Sequence, residues 1–220
     1  MLALELVLVL GLVLVLAFAL LPLDACRKKY AATAEDMVEY GWDLYETADY
    51  LNSNKWFNDA IVDDDEWKDA YNGLGWSYAK LMVLDSSISY FTTGLEKNQD
   101  KWSITDSQAE ILAGLTFAYN AKGNDAKAIE YGRAFLDSTV KPLQPEWVFS
   151  HDSLLNYLDL RVTLAASYFA KGKFDSTIIQ VTVVLDSLNS NEIAITDTSI
   201  NGRILMAKQI TSLQTLLFKK

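Results

Sequence analysis

The sequence predicts an all-α fold, an array of paired helices that follows an N-terminal hydrophobic segment. Three observations lead there. Four segments share one spacing of small and large residues, a run of 18 uncharged and mostly apolar residues comes first, and the tail carries one apolar stripe at helical period. Half of the 220 residues are hydrophobic, ample for a sizeable core, and three prolines with ten glycines exclude collagen-like or proline-rich character. With 19 Lys and Arg against 29 Asp and Glu the net charge is −10, which argues against a grip on nucleic acid. One cysteine excludes an internal disulfide framework and a cysteine-based zinc cluster. One histidine, His151, makes most histidine-driven metal or triad chemistry improbable.

The first element is the run Leu6–Leu23, at the threshold length for crossing a hydrocarbon core and long for a signal-peptide h-region. It ends in Leu23-Asp24-Ala25-Cys26. That tetrad resembles a bacterial lipobox, in which a signal peptidase cuts before a cysteine whose thiol carries diacylglycerol. Leu23, Ala25 and the sole cysteine match the pattern; Asp24 and the lack of Lys or Arg ahead of the run depart from it. Residues 1–25 are thus expected to be a signal peptide or membrane anchor, and 26–33 a short tether. The favoured reading is a cleaved chain lipidated at Cys26, periplasmic or on the outer membrane. The alternative is an uncleaved inner-membrane anchor with a cytoplasmic body, because Arg27, Lys28 and Lys29 would hold that side inward.

The repeat follows. Tyr40-Gly41-x2-Leu44, Leu74-Gly75-x2-Tyr78, Leu115-Thr116-x2-Tyr119 and Leu164-Ala165-x2-Tyr168 align, their last residues stepping by 34, 41 and 49. Small residues such as Gly41, Gly75 and Ala165 let paired helices approach, while Tyr78, Tyr119 and Tyr168 fill the space beside them. Gly123 and Gly172 suit left-handed turns between the helices, and Asp85, Asp125 and Asp175 are expected to cap the next helix. Met82 stands where the second repeat needs its turn glycine, at a cost of about 1 kcal/mol. Gly132 and Phe135 exchange large for small on the third pair's second helix.

The 34-residue step, Tyr71-x2-Leu74-Gly75-x2-Tyr78 followed by Ser87-x3-Phe91, and Met37-x2-Tyr40-Gly41-x2-Leu44 followed by Ser53-x3-Phe57-x2-Ala60 resemble the tetratricopeptide repeat (TPR). The third copy continues through Gly123 and Ala128, the fourth through Gly172, Phe174 and Thr177. Repeats are expected at about 34–66, 68–101, 108–141 and 158–190. The resemblance implies a solenoid whose first helices line a concave groove for an extended peptide or partner helix. Trp42, Trp76 and Phe117 then occupy equivalent inward places, with Tyr45 and Phe169 three residues further along their own helices. Asn72, Lys80 and Asn120 would add hydrogen-bonding groups. The same aromatics could instead pack between neighbouring repeats. Glu35, Asp69, Glu110 and Asp159 recur at one repeat position; first-turn acids complementing the helix dipole are favoured over a negative rail for a basic partner.

The longest insertion, about Val140 to Tyr157, reads as a loop holding Trp147 and Phe149 as a possible contact, or folded back to seal repeats three and four. His151 reads as a polar loop residue. Asn189–Thr198 is a loop, and Ser199–Phe218 a terminal helix burying Met206, Ile210, Leu213 and Leu217 with a polar outer face; 191–220 is linker and cap. Nine helices follow the membrane segment, with no strand required.

Enzyme templates are absent from the sequence: no G-x-S-x-G, H-E-x-x-H, P-loop or G-x-G-x-x-G. The run Asp63-Asp64-Asp65-Glu66 reads as a solvated link and not a metal site. The expected function is a non-catalytic, membrane-tethered scaffold in the bacterial cell envelope, taking protein or peptide partners, with no nucleic acid, cofactor or metal. Its rivals are a cytoplasm-facing recruiter of enzymes and a surface module binding a glycan or small ligand through its aromatics.

Overall fold

Helix formation starts where the sequence first offers a cap. In a computed structural model, which describes residues 31–97, 107–137 and 147–218, the Asp36 N–H donates to the Thr33 hydroxyl at 3.2 Å. The Asp36 carboxylate takes the Thr33 N–H at 2.8 Å in return. Helix α1 (Ala34–Glu46) then folds back onto α2 (Tyr50–Asp63). The same hairpin recurs as α3 (Lys68–Lys80) with α4 (Leu84–Glu96) and α5 (Ser107–Ala121) with α6 (Asp125–Leu136). The fourth pair is α7 (Tyr157–Ala170) with α8 (Phe174–Ser187), and α9 (Ile200–Phe218) packs on α7. Among the described residues, none of these nine helices is long and apolar enough to cross a membrane. The hydrophobic run and Cys26 lie outside the described residues.

One turn geometry joins all four pairs. Ala48, Met82, Gly123 and Gly172 have φ of 63°, 59°, 73° and 68°. The following N–H groups, of Asp49, Val83, Asn124 and Lys173, donate to the carbonyls of Leu44, Tyr78, Tyr119 and Tyr168 at 2.8–2.9 Å. Met82 therefore does hold the left-handed turn, and Ala48 is a second non-glycine there. The expected caps are displaced by one or two residues. The N-caps are Val83, Asn124 and Lys173, of which only Asn124 accepts a side-chain bond, from the Lys127 N–H at 3.3 Å. Asp85, Asp125 and Asp175 sit inside the first turns, because the cap must directly follow the left-handed residue.

Glycines set the spacing of the layers. The fully buried ring of Phe57 on α2 fills the space left by Gly41 on α1 and Gly73 on α3; Phe91 on α4 does the same between Gly75 and Gly114. In the third pair the roles reverse, and Leu164 of α7 enters the space over Gly132 of α6. The exchange at Gly132 and Phe135 is compensated from the next repeat. First helices also touch one another in series, α1 to α3, α3 to α5 and α5 to α7, forming one continuous inner face.

Two hydrophobic clusters result. The larger runs through the first three pairs into α7; the smaller joins Val162, Val181, Val184 and Leu185 to Met206, Ile210, Leu213 and Leu217 of α9. The outer face of α9 is less polar than expected, since Ile204, Leu205, Leu216 and Phe218 stand exposed beside Lys208 and Thr211. The expectation that no strand is needed is also corrected. β1 (Val148–Phe149) and β2 (Asp152–Asn156) pair antiparallel within the long insertion, with a register shift between Val148 and Phe149. Side chains at 147, 149 and 151 alternate as strand residues do, which a loop reading overlooks.

Candidate partner-binding site

The inner face of the first two pairs gathers the aromatic residues that the register aligns. Trp42 and Tyr45 come from α1 and Trp76 from α3, and Phe117 from α5 lies beside them, 6.2 Å from Trp76 between ring centres. Lys80 ends α3 at the rim, 5.9 Å above the Tyr45 ring. Phe169 is not part of the group. It packs edge-on against Phe174 at 5.7 Å, in the cluster shared with α9. Asn120 also stands apart, its amide donating to the Ser167 hydroxyl at 2.9 Å and so tying α5 to α7.

The hairpin occupies this face. Phe149 enters among Trp42, Tyr45 and Trp76, with ring centres 6.1, 6.0 and 4.3 Å away, the last nearly stacked. His151 lies flat on Trp42, 3.6 Å between centres and 4° between planes, and its Nδ1 is 2.9 Å from the Glu46 carboxylate. Trp147 meets Phe135 of α6 edge-on at 5.2 Å. Trp42 and Trp76 are only 4% exposed as a result. The expectation of an open aromatic stripe is therefore corrected: the stripe exists on α1 and α3, but the chain's own insertion covers it. Trp147 and Phe149 likewise are buried and not an exposed loop contact. They do more than seal repeats three and four, because Phe149 reaches back to the first two pairs.

Beneath the aromatics runs a chain of polar groups. Trp42 Nε1 donates to Asp69 at 2.9 Å, and the other Asp69 oxygen accepts from Asn72 at 3.1 Å and Ser107 at 3.2 Å. The Asn72 amide also donates to Glu110 at 2.6 Å, whose second oxygen takes the Ser150 hydroxyl at 2.5 Å and the Ser150 N–H at 3.2 Å. Burial pushes the Glu110 carboxyl above the ordinary glutamate range. Donors from Ser150 and Asn72 pull it down and the Asp69 charge raises it further, but removal from water wins. Burial also raises the Tyr45 hydroxyl, which stays a neutral phenol.

The four recurring acids are therefore not one rail. Asp69 and Glu110 are spent inside the site, Asp159 takes the Asn156 N–H at 2.9 Å as a cap, and Glu35 is exposed. In the acidic run at 63–66, Asp63 closes the first pair by accepting the Ala34 N–H at 3.0 Å, while Lys97 of the second pair lies 3.8 Å from Asp65 and 3.1 Å from Glu66. Among the described residues no group of three or more His, Cys, Asp or Glu is placed to hold a metal ion. Glu110, Ser150 and His151 were missed as site residues. Only the alternation of Trp147, Phe149 and His151 marked the segment as one able to present a face.

No family model and no curated protein matches the chain. Among solved structures the chain is similar to YrrB, described as a TPR protein with an unusual peptide-binding site. The likeness covers 84% of this chain and 89% of that one, at a TM-score of 0.54 and 12% identity. The fold is that of a TPR solenoid.

Proposed function

We propose that the chain is a non-catalytic, membrane-tethered scaffold of the bacterial cell envelope that holds a protein or peptide partner on the face of its first helices. One observation carries the partner reading: this face already receives a β-hairpin, with Phe149 of its first strand held among three aromatic rings and Ser150 of its turn held by Glu110. A surface that seats one extended segment through an aromatic anchor is chemically suited to another. The TPR-type fold, and the peptide-binding site in the name of its structural neighbour, support the same class of function. The tether rests on Leu6–Leu23 and on Leu23-Asp24-Ala25-Cys26.

A photo-crosslinking residue replacing Phe117, on the inner face, is expected to capture a specific envelope protein in a bacterial host. The same probe replacing Ile179, exposed on α8, is not. Crosslinks from position 179 alone would move the interaction off this face. The intact mass of the membrane-extracted protein tests the tether. A mass of residues 26–220 plus lipid is expected; retention of residues 1–25 would favour the inward-facing anchor, as Arg27, Lys28 and Lys29 suggest.

A further inference from the structure

The hairpin fits the inner face unevenly. Its apolar side is well seated, since Trp147 and Phe149 are almost completely buried. Its polar fit is poor. Tyr45 Oη, Trp76 Nε1 and Asn72 Oδ1 on the helices, and Trp147 Nε1 on the hairpin, are all buried without a hydrogen-bond partner. A buried polar group left unpaired loses its hydration and gains nothing in exchange. Four such groups gather around one ten-residue segment, beside neighbours that do find partners, such as Trp42 on Asp69 and Asn120 on Ser167.

The fastenings at the hairpin's tip are weak in kind. Lys80 and Asp152 pair at 3.2 Å with side chains 36% and 30% exposed, and His151 pairs with a half-exposed Glu46. Solvent and salt screen such pairs. The two strands hold two and five residues, and a hairpin of that size has little stability of its own. Its outer side, with Val148 and Leu154, faces solvent.

We infer that the segment Trp147–Asn156 is a resident occupant of the inner face, replaced there by an extended segment of a protein partner that brings one aromatic side chain and carbonyl acceptors for Trp76 Nε1 and the Tyr45 hydroxyl. The inference rests on the partner-binding reading above and adds what the partner must look like. The aromatic takes the place of Phe149 between Trp42 and Trp76. The backbone N–H after it takes the place of Ser150 on Glu110, and a carbonyl of the same segment accepts from Trp76.

A fluorescein-labelled peptide with the sequence of residues 147–156 is the probe, titrated into the full chain by polarisation. Phe149→Ala, which weakens the resident hairpin, is expected to bind it at least tenfold more tightly than wild type. Adding Trp76→Ala should abolish that binding. Equal affinity for wild type and Phe149→Ala, or no binding to a folded Phe149→Ala, overturns replacement. Should Phe149→Ala misfold, the double variant His151→Ala/Asp152→Ala, which removes the two tip pairs and the stacking on Trp42 but keeps Phe149, takes its place with the same expectation.

Hydrogen exchange of wild type gives a readout independent of any peptide. A replaceable hairpin opens while the helices stay closed, so residues 147–156 should exchange at least tenfold faster than the centres of α3 and α5. Exchange at the rate of those helix centres overturns replacement and leaves the crosslinking test of the inner face to be judged by itself.

Discussion

Met82 holds φ at 59°, in the turn where the third and fourth pairs carry Gly123 at 73° and Gly172 at 68°. A side chain there meets its own backbone, at a cost of about 1 kcal/mol, while the Met82 side chain is 73% exposed and packs little in return. Met82→Gly is therefore expected to raise the unfolding free energy in urea by about 1 kcal/mol, less the added freedom of glycine in the unfolded chain. Glu110 makes a second prediction. Its carboxyl is raised in the folded protein, so protons bind it more tightly there than in the unfolded chain. Stability from this group is fully present below the ordinary glutamate value of about 4.3 and is lost as pH rises through the folded value. Other carboxylates contribute to the total pH dependence, so the informative quantity is the difference between wild type and Glu110→Gln. Wild type should lose stability relative to Glu110→Gln as pH rises from about 4.3 upward. Parallel stability curves for the two proteins would show that Glu110 titrates as an ordinary carboxyl.

At the scale of the elements, spacing between helices is set by rings placed over glycines. A Cβ added at Gly73 would come within 2.4 Å of three atoms of the fully buried Phe57 ring, so the ring or the helix must shift. Gly73→Ala should lower stability by about 1–3 kcal/mol through overpacking, with Gly172→Ala failing for a different reason, its left-handed φ. Urea unfolding with near-ultraviolet circular dichroism separates them, since only the first disturbs the aromatic core. This packing was legible in the sequence, because Gly41 and Phe57, or Gly75 and Phe91, fall on faces fixed by helical period within one repeat. The stripe Trp42, Tyr45 and Trp76 was legible for the same reason. What covers it was not. The contact of His151 with Glu46 spans 105 positions, and no local periodicity specifies such a pairing. Phe169 was misjudged by the same limit: its register matches the others, yet α9 draws it into a different cluster.

At the scale of the whole molecule, a stack of helix pairs is stable only where each exposed apolar face meets the next element. The fourth pair shows Val162, Val181, Val184 and Leu185 on the side away from the third, and α9 covers them with Met206, Ile210, Leu213 and Leu217. Gln209 fixes the connecting loop as well, its amide oxygen accepting the Ile195 N–H at 3.1 Å and its nitrogen donating to the Ile193 carbonyl at 3.0 Å. Ending the chain at Asp197 would uncover that apolar surface at about 25 cal/mol per Å² and free the loop together. The first three pairs keep their own cluster, so the loss should not be uniform. The truncated protein is expected to unfold in two steps in urea, α7 and α8 melting first, and to associate on size-exclusion chromatography through the uncovered face. A single transition at the wild-type midpoint, from a monodisperse monomer, would mean that α9 is an appendage and that the fourth pair ends the solenoid without it. Because α7 also follows directly from the hairpin at Tyr157, early melting of the fourth pair should release Phe149 from Trp76 in the same step. A change in tryptophan fluorescence that coincides with the first transition, and not the second, is the expected sign of that coupling.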